Sequence, residues 1–225
     1  IQSKKEKIFF TGDVLFNDQR TLDGASPPLD PVDVLITETT RGSTPRDPSR
    51  QRENEMVNLL EETHKTLSRG GSVLIPVFAL GRMQEMLVVL DEAFRRKALP
   101  KVPVFCSGLG MDLVNHFHEV ARNSDHLHFN RKVLKSMGAR PLPRRIEPGR
   151  ELPMRGIYLV SSGMLVERTP SYMLAPSILK DDRNSILFIG YCDPSTPGGK
   201  LLEAQPGEPF EFEAIDLSEP VRAKI

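Results

Sequence analysis

Residues 73–78 are apolar at every position, rich in β-branched side chains, and bounded by Gly70-Gly71 and Ala79-Leu80-Gly81, which predicts a strand buried on both faces. The period then changes. Met83, Met86, Leu87, Leu90 and Phe94 fall at i, i+3, i+4, i+7 and i+11, one stripe of an amphipathic helix facing a core. The turn between them sits at the carboxyl end of the strand, where open α/β sheets leave a crevice for ligand, and Gly81 is expected to let backbone approach closely there.

The same change of period recurs along the chain. Strands are predicted over 8–11, 32–37, 104–106, 156–160 and 185–191, and the tail alternates as a half-exposed strand over 210–214. A helix over 52–68 puts Met56, Leu59, Leu60, Thr63 and Leu67 on one face and stops at Arg69-Gly70-Gly71. Another carries Met111, Val114, Phe117 and Val120-Ala121. Repeated β-then-α units argue for an α/β fold with a mostly parallel, doubly wound sheet. Residues 17–31 read as loop and 192–199 as a Pro/Gly-rich turn. Two further stretches, 39–50 with Arg41, Arg46 and Arg50 and 139–154 with Arg140, Arg144, Arg145 and Arg150, read as exposed connectors.

Several strand ends deliver polar groups. The first predicted strand runs into Gly12-Asp13 and the second into Glu38, so neighbouring strand ends can bring two carboxylates to one place, suited to cations or protons. Asp13 can equally cap its own turn through backbone amides. Arg82 opens the central helix, either as a grip on phosphate beside the unpaired amides or as an ordinary ion-paired surface cation. The strand over 156–160 exits through Ser161-Ser162-Gly163, which can cradle phosphate or cap the next helix.

Other chemistry is set aside on geometry and composition. His116 and His118 lie two apart on a helix, roughly 200° from each other, and His126 and His128 lie in a polar connector with no nearby cluster of acids or cysteines, so a metal site is not expected at either pair. The two cysteines, Cys106 and Cys192, end apolar runs and read as packed thiols, not a disulfide framework. Formal charge is zero over 225 residues, so nucleic-acid binding would have to rest on local arginines. No stretch approaches the ~20 apolar residues of a membrane span, so no membrane partner is expected and a cytosolic or nuclear location, cytoplasmic by preference, is favoured.

Phe10-Thr11-Gly12-Asp13, then residues 34–42 with Glu38-Thr39-Thr40, then 70–85 with Gly81-Arg82-Met83-Gln84-Glu85, resemble in order the β-CASP branch of the metallo-β-lactamase fold. Ser161-Ser162-Gly163-Met164-Leu165 and Phe188-Ile189-Gly190-Tyr191 continue the likeness. The resemblance implies a zinc-dependent nuclease: Asp13 as the carboxylate bridging two zinc ions, and Glu38 as an acid orienting a catalytic histidine. Arg82 and Ser161, Ser162 and Gly163 would face substrate phosphates. It implies a partial metallo-β-lactamase domain over 1–52, an inserted β-CASP domain over 53–189 and a return to the first domain over 190–225. RNA is favoured over DNA as partner, and a homodimer is an allowed assembly. The family's His-x-His-x-Asp-His cluster and later histidines are not in this sequence, so the expectation is a fragment that binds little zinc and is inactive alone; a non-catalytic scaffold subunit is the alternative. Arg41 and Arg46 stand where relatives carry an aromatic residue and a histidine.

Overall fold

A computed structural model describes residues 6–40, 42–44, 47, 51–142, 146–152 and 154–225. Arg41, Arg46, Arg50, Arg144 and Arg145 lie outside the described residues. The chain opens with β1 (Ile8–Phe10) and β2 (Val34–Ile36), a parallel pair with Phe10 opposite Ile36. After α1 (Arg52–Ser68) come β3 (Val73–Pro76), α2 (Arg82–Arg95), β4 (Val104–Ser107), α3 (Leu109–Arg122), α4 (Lys132–Met137) and β5 (Arg140–Pro141). Next are β6 (Ile157–Val160), α5 (Pro170–Leu179), β7 (Ser185–Ile186), α6 (Pro197–Glu203) and a hairpin of β8 (Pro209–Phe212) and β9 (Leu217–Pro220).

Five of these strands form one parallel sheet in the order β5-β4-β6-β3-β7. Strand period sorts its side chains. Val73, Ile75, Val104, Cys106, Ile157 and Leu159 enter a core with Leu67 of α1, Met86 and Leu90 of α2, Val114 of α3 and Met137 of α4. Leu74, Phe105, Tyr158 and Val160 face the opposite way, onto Tyr172 and Ile178 of α5 and Phe210 and Phe212 of the hairpin. With both faces covered, the central strands β3 and β6 are buried at every residue, and the predicted parallel α/β architecture is the one observed.

The chain order places a crevice. From β3 it runs through α2 toward β4 on the first face; from β6 it runs through α5 on the second face to β7, on the other side of β3. The connections leaving β3 and β6 therefore part in opposite directions at the carboxyl end of the sheet, the arrangement that opens a ligand site in doubly wound folds.

The structure departs from the expected elements at definite points. The strand predicted over 185–191 is cut to two residues: Leu187 N–H donates to Leu74 O at 2.9 Å, but the return bond would have to come from Pro76, which has no N–H. Residues 192–199, expected as a turn, lead into α6, where Thr196 Oγ1 accepts from Gly199 N–H at 3.1 Å and Pro197 takes the first helical position. The 139–154 connector contributes β5, whose Pro141 is tolerated because the strand lies at the sheet edge. Residues 201–223 send Leu201, Phe210, Phe212, Val221 and Ala223 into the core on the α5 face.

Gly71 sits where α1 hands over to β3, and a Cβ there would lie 1.8 Å from the Arg183 carbonyl oxygen. Backbone on backbone cannot yield by a rotamer change. Gly71→Ala is expected to lower unfolding free energy by about 1–3 kcal/mol, measured by urea denaturation, through overpacking at this crossing; an unchanged midpoint would contradict the close approach.

Candidate functional site

The parallel pair β1–β2 brings Asp13 and Glu38 to one end. Thr11 N–H donates to Ile36 O at 3.0 Å, extending the ladder, and both acids lie just beyond it. Glu38 is half-buried and committed: its carboxylate takes the Thr40 N–H at 2.9 Å. That bond, the Thr40 hydroxyl and the Val14 N–H hold its carboxyl below the usual glutamate range. The Val14 bond ties Glu38 directly to the residue after Asp13. Asp13 is exposed and has no hydrogen-bond or ion-pair partner among the described residues, so its oxygens remain available to a cation.

Two zinc ions are what the sequence resemblance implies, and the residues can be tested for them. Among the described residues no group of three or more His, Cys, Asp or Glu is placed to hold a metal ion. Asp13 has the donor chemistry for one ligand, whereas zinc takes four or so, so these residues alone do not make a zinc pair. Cys106 is no substitute ligand or nucleophile. Burial pushes its thiol up to about 12.

The second pair of candidates meets at the crevice. Val77 N–H donates to Val160 O at 2.9 Å, so the loops after β3 and β6 leave side by side. A Cβ on Gly163 would lie 2.8 Å from the Phe78 ring and 3.0 Å from its backbone nitrogen, which makes Gly163 the point where the two loops touch. Ser162 is largely spent on local structure: its Oγ accepts the Val166 N–H at 2.8 Å and its carbonyl accepts the Ser171 hydroxyl at 2.7 Å. Ser161 O accepts the Ser171 N–H at 3.0 Å, while its hydroxyl faces Gly108. These are turn and cap contacts at the entry to α5.

Gly81 has φ +77°, yet a Cβ there would meet nothing within 4 Å. The glycine is required for its dihedral and not, as expected from sequence, for close approach. Gln84, fully buried, locks the turn: it accepts from Gly81 N–H at 2.8 Å and donates to Ala79 O at 3.2 Å and to Gly110 O at 3.1 Å. Arg82 is thereby held half-buried at the start of α2. Its guanidinium has no hydrogen-bond or ion-pair partner among the described residues. Burial first, then the nearby Arg52, hold it below the ordinary arginine value, and Glu85 opposes them. An anion at this position would relieve both penalties.

Sequence reading missed the residue that joins the two groups. Glu85 is 2% exposed, and its carboxylate accepts from Arg20 N–H at 3.0 Å, Thr21 N–H at 2.9 Å, the Thr21 hydroxyl at 2.9 Å and Arg52 Nη2 at 2.5 Å. The segment downstream of Asp13 is thus pinned to the first turn of α2, one turn from Arg82. An acid set between Gln84 and Met86 on a helix bordering an apolar stripe was the available signal. A second tie involves the histidine pair set aside as a metal site: Asp23 lies between His126 Nδ1 at 3.2 Å and His128 Nε2 at 2.7 Å. Asp23 N–H also donates to His126 O at 3.0 Å, and His128 N–H to Thr21 O at 2.8 Å.

These features define an α/β domain with a parallel sheet, an acid pair at a neighbouring strand end and an arginine at its switch point. Residues 83–201, more than half of the chain, match the model of the Beta-Casp domain. The chain belongs to the β-CASP family of metallo-β-lactamase-fold nucleases. It is 31% identical to an RNase J-like protein of Methanocaldococcus jannaschii over 98% of this chain and 51% of that protein. It is 32% identical to Integrator complex subunit 11 of Danio rerio, over 91% of this chain and 34% of the relative. The endoribonuclease ysh1 of Schizosaccharomyces pombe is 32% identical over 92% of this chain and 27% of its own length. The chain spans about half the length of the first of these curated relatives and less of the others.

Glu85→Ala leaves the partly buried Arg52 without its counter-charge and frees the 20–21 segment; the expected loss is about 3 kcal/mol of unfolding free energy in urea. A loss under about 1 kcal/mol would mean the carboxylate is not the joint. Asp23's carboxyl is held below the ordinary aspartate value, chiefly by hydrogen bonds from His128 and then His126. A depressed carboxyl stabilises above its unfolded value and loses that contribution as pH falls through the folded one. In an NMR titration, the Asp23 midpoint should rise toward about 3.9 in His128→Ala; an unmoved midpoint would contradict the bond.

Proposed function

We propose that the protein to which this chain belongs is a metal-dependent phosphodiester hydrolase that cleaves RNA, with zinc as the metal. The observation that carries this reading is the pairing of Asp13 with Glu38: one carboxylate fully engaged by amides and oriented, the other adjacent and uncommitted. An oriented acid beside an available one suits a site in which the first positions a partner group and the second binds a cation. Asp13 is assigned as one metal ligand, the remaining ligands coming from beyond the described residues. Glu38 is assigned as a positioning acid. Arg82, with the backbone of the Ser161-Ser162-Gly163 turn, is assigned to substrate phosphate, because a half-buried guanidinium without a counter-ion gains most from an anion.

RNA is preferred over DNA because relatives are named as an RNase J-like protein and an endoribonuclease. The domain assignment follows the resemblance, with 1–52 in the metallo-β-lactamase part and 53–189 in the β-CASP insert. The packing of Leu201, Phe210 and Phe212 on the α5 face supports carrying the insert's core on into 190–225. Among the described residues no helix is long and apolar enough to cross a membrane. A cytoplasmic location goes with this reading.

In the full-length protein, Asp13→Ala is expected to reduce metal-dependent RNA cleavage by at least about 100-fold, a loss on the order of that seen when a group acting directly in the chemistry is removed. The protein should stay folded, since Asp13 is exposed. Retained cleavage in the variant would refute the assignment. A wild-type protein that binds RNA but never cleaves it would instead be a scaffold subunit.

A further inference from the structure

A cleft of about 510 Å³ opens at the carboxyl ends of β4 and β5, away from the β3/β6 crevice. Leu109, Leu134 and Leu142 give it apolar walls, while Ser107, Asp112 and Arg140 bring a hydroxyl, an anion and a cation to it. Its size falls within the usual range for a small-molecule site. Its polar groups are also unspent. Among the described residues the Arg140 side chain makes one hydrogen bond, Nη1 to the Met154 sulfur at 3.8 Å, and Ser107 and Asp112 have no side-chain hydrogen-bond or ion-pair partner.

Although lined by different residues, the cleft and the crevice are neighbours, their walls meeting at three contacts. A Cβ on Gly108 would lie 2.1 Å from Ser161 Oγ, so the β4 and β6 exits abut. Gln84 Nε2 donates to Gly110 O at 3.1 Å, and a Cβ on Gly110 would lie 2.9 Å from the Met83 side chain, which seats the start of α3 on the start of α2 beside Arg82. A strand with a phosphate at Arg82 would pass next over Gly108 and reach the cleft.

We propose that this cleft is a nucleotide subsite, holding the base between its leucine walls and the phosphate at Arg140, and that it takes a nucleotide flanking the one at Arg82. The proposal rests on the RNA reading above. An apolar slot suits a base face, Asp112 can accept from an exocyclic amino group, and Arg140 supplies two donors for a phosphate.

The test titrates this 225-residue chain with adenosine 5′-monophosphate, and separately with inorganic phosphate, following backbone amide shifts. Shifts should localise to 107–112 and 139–142, and the nucleotide should bind at least about tenfold more tightly than phosphate, the worth of one buried base face. Arg140→Glu, an exposed change, should weaken the nucleotide by at least about tenfold. Equal affinity for the nucleotide and phosphate, or shifts elsewhere, overturns the subsite. Binding of a single-stranded RNA hexamer separates the two readings. If wild type and Arg140→Glu bind it equally, the subsite is wrong and the RNA reading stands; if wild type does not bind it, both fall.

Discussion

A single buried carboxylate holds this molecule in its working arrangement. Glu85 is almost wholly removed from solvent, and four donors from two separate segments, residues 20–21 and Arg52, converge on it. Burying a carboxylate is costly unless its lone pairs are filled and a cation stands near, and here both conditions are met by Thr21, the Arg20 amide and Arg52. The consequence is geometric. The segment that follows Asp13 is fixed to the first turn of α2, and α2 begins with Arg82, so the acid end of β1–β2 and the cationic end of the five-stranded sheet are parts of one assembly. The Asp23 clasp with His126 and His128 repeats the tie farther along the same segment.

The constraint on Glu85 also shapes Arg82. Arg52 turns its Nη2 to Glu85, which leaves Arg82 beside a second cation and without a carboxylate of its own. An arginine in that position is worse off alone than with an anion. The same economy runs through the turn, where Gln84 satisfies the Gly81 amide and the Ala79 and Gly110 carbonyls, so that the backbone around Arg82 is rigid before any ligand arrives. Opposite it, Gly163 lets the β6 exit close onto Phe78, and Ser162 closes the entry to α5. The serines therefore shape the crevice more through its backbone than through free hydroxyls.

Much of the fold was legible because period 2 and period 3.6 are separated cleanly: residues 73–76 could only be a strand with both faces covered, and the Met83, Met86, Leu90 stripe could only be a helix on that sheet. The helix over 52–68 was readable to the residue, since an apolar face ended at a glycine pair. What failed depended on neighbours in space. The shortening of the strand at Ser185–Ile186 follows from Pro76 on the adjacent strand, and no local feature of 185–191 announces it. Pro197-Gly198-Gly199 read as a turn because the cap at Thr196 was overlooked. At the candidate site, Asp13, Glu38 and Arg82 were visible as polar groups at strand and helix ends, whereas the partners of Glu85 lie 33 to 65 residues away in sequence and those of the Asp23 clasp 103 and 105.

The central claim is that Arg82 is a cation kept free for a nucleic-acid phosphate. The most direct measurement is the affinity of single-stranded RNA for this chain as a function of salt, in wild type and Arg82→Ala. The account predicts a linear fall of log K with log salt whose slope is shallower in the variant by about 0.7, the contribution of one phosphate contact on a single strand. An identical slope in the two proteins, with RNA bound by both, would contradict it.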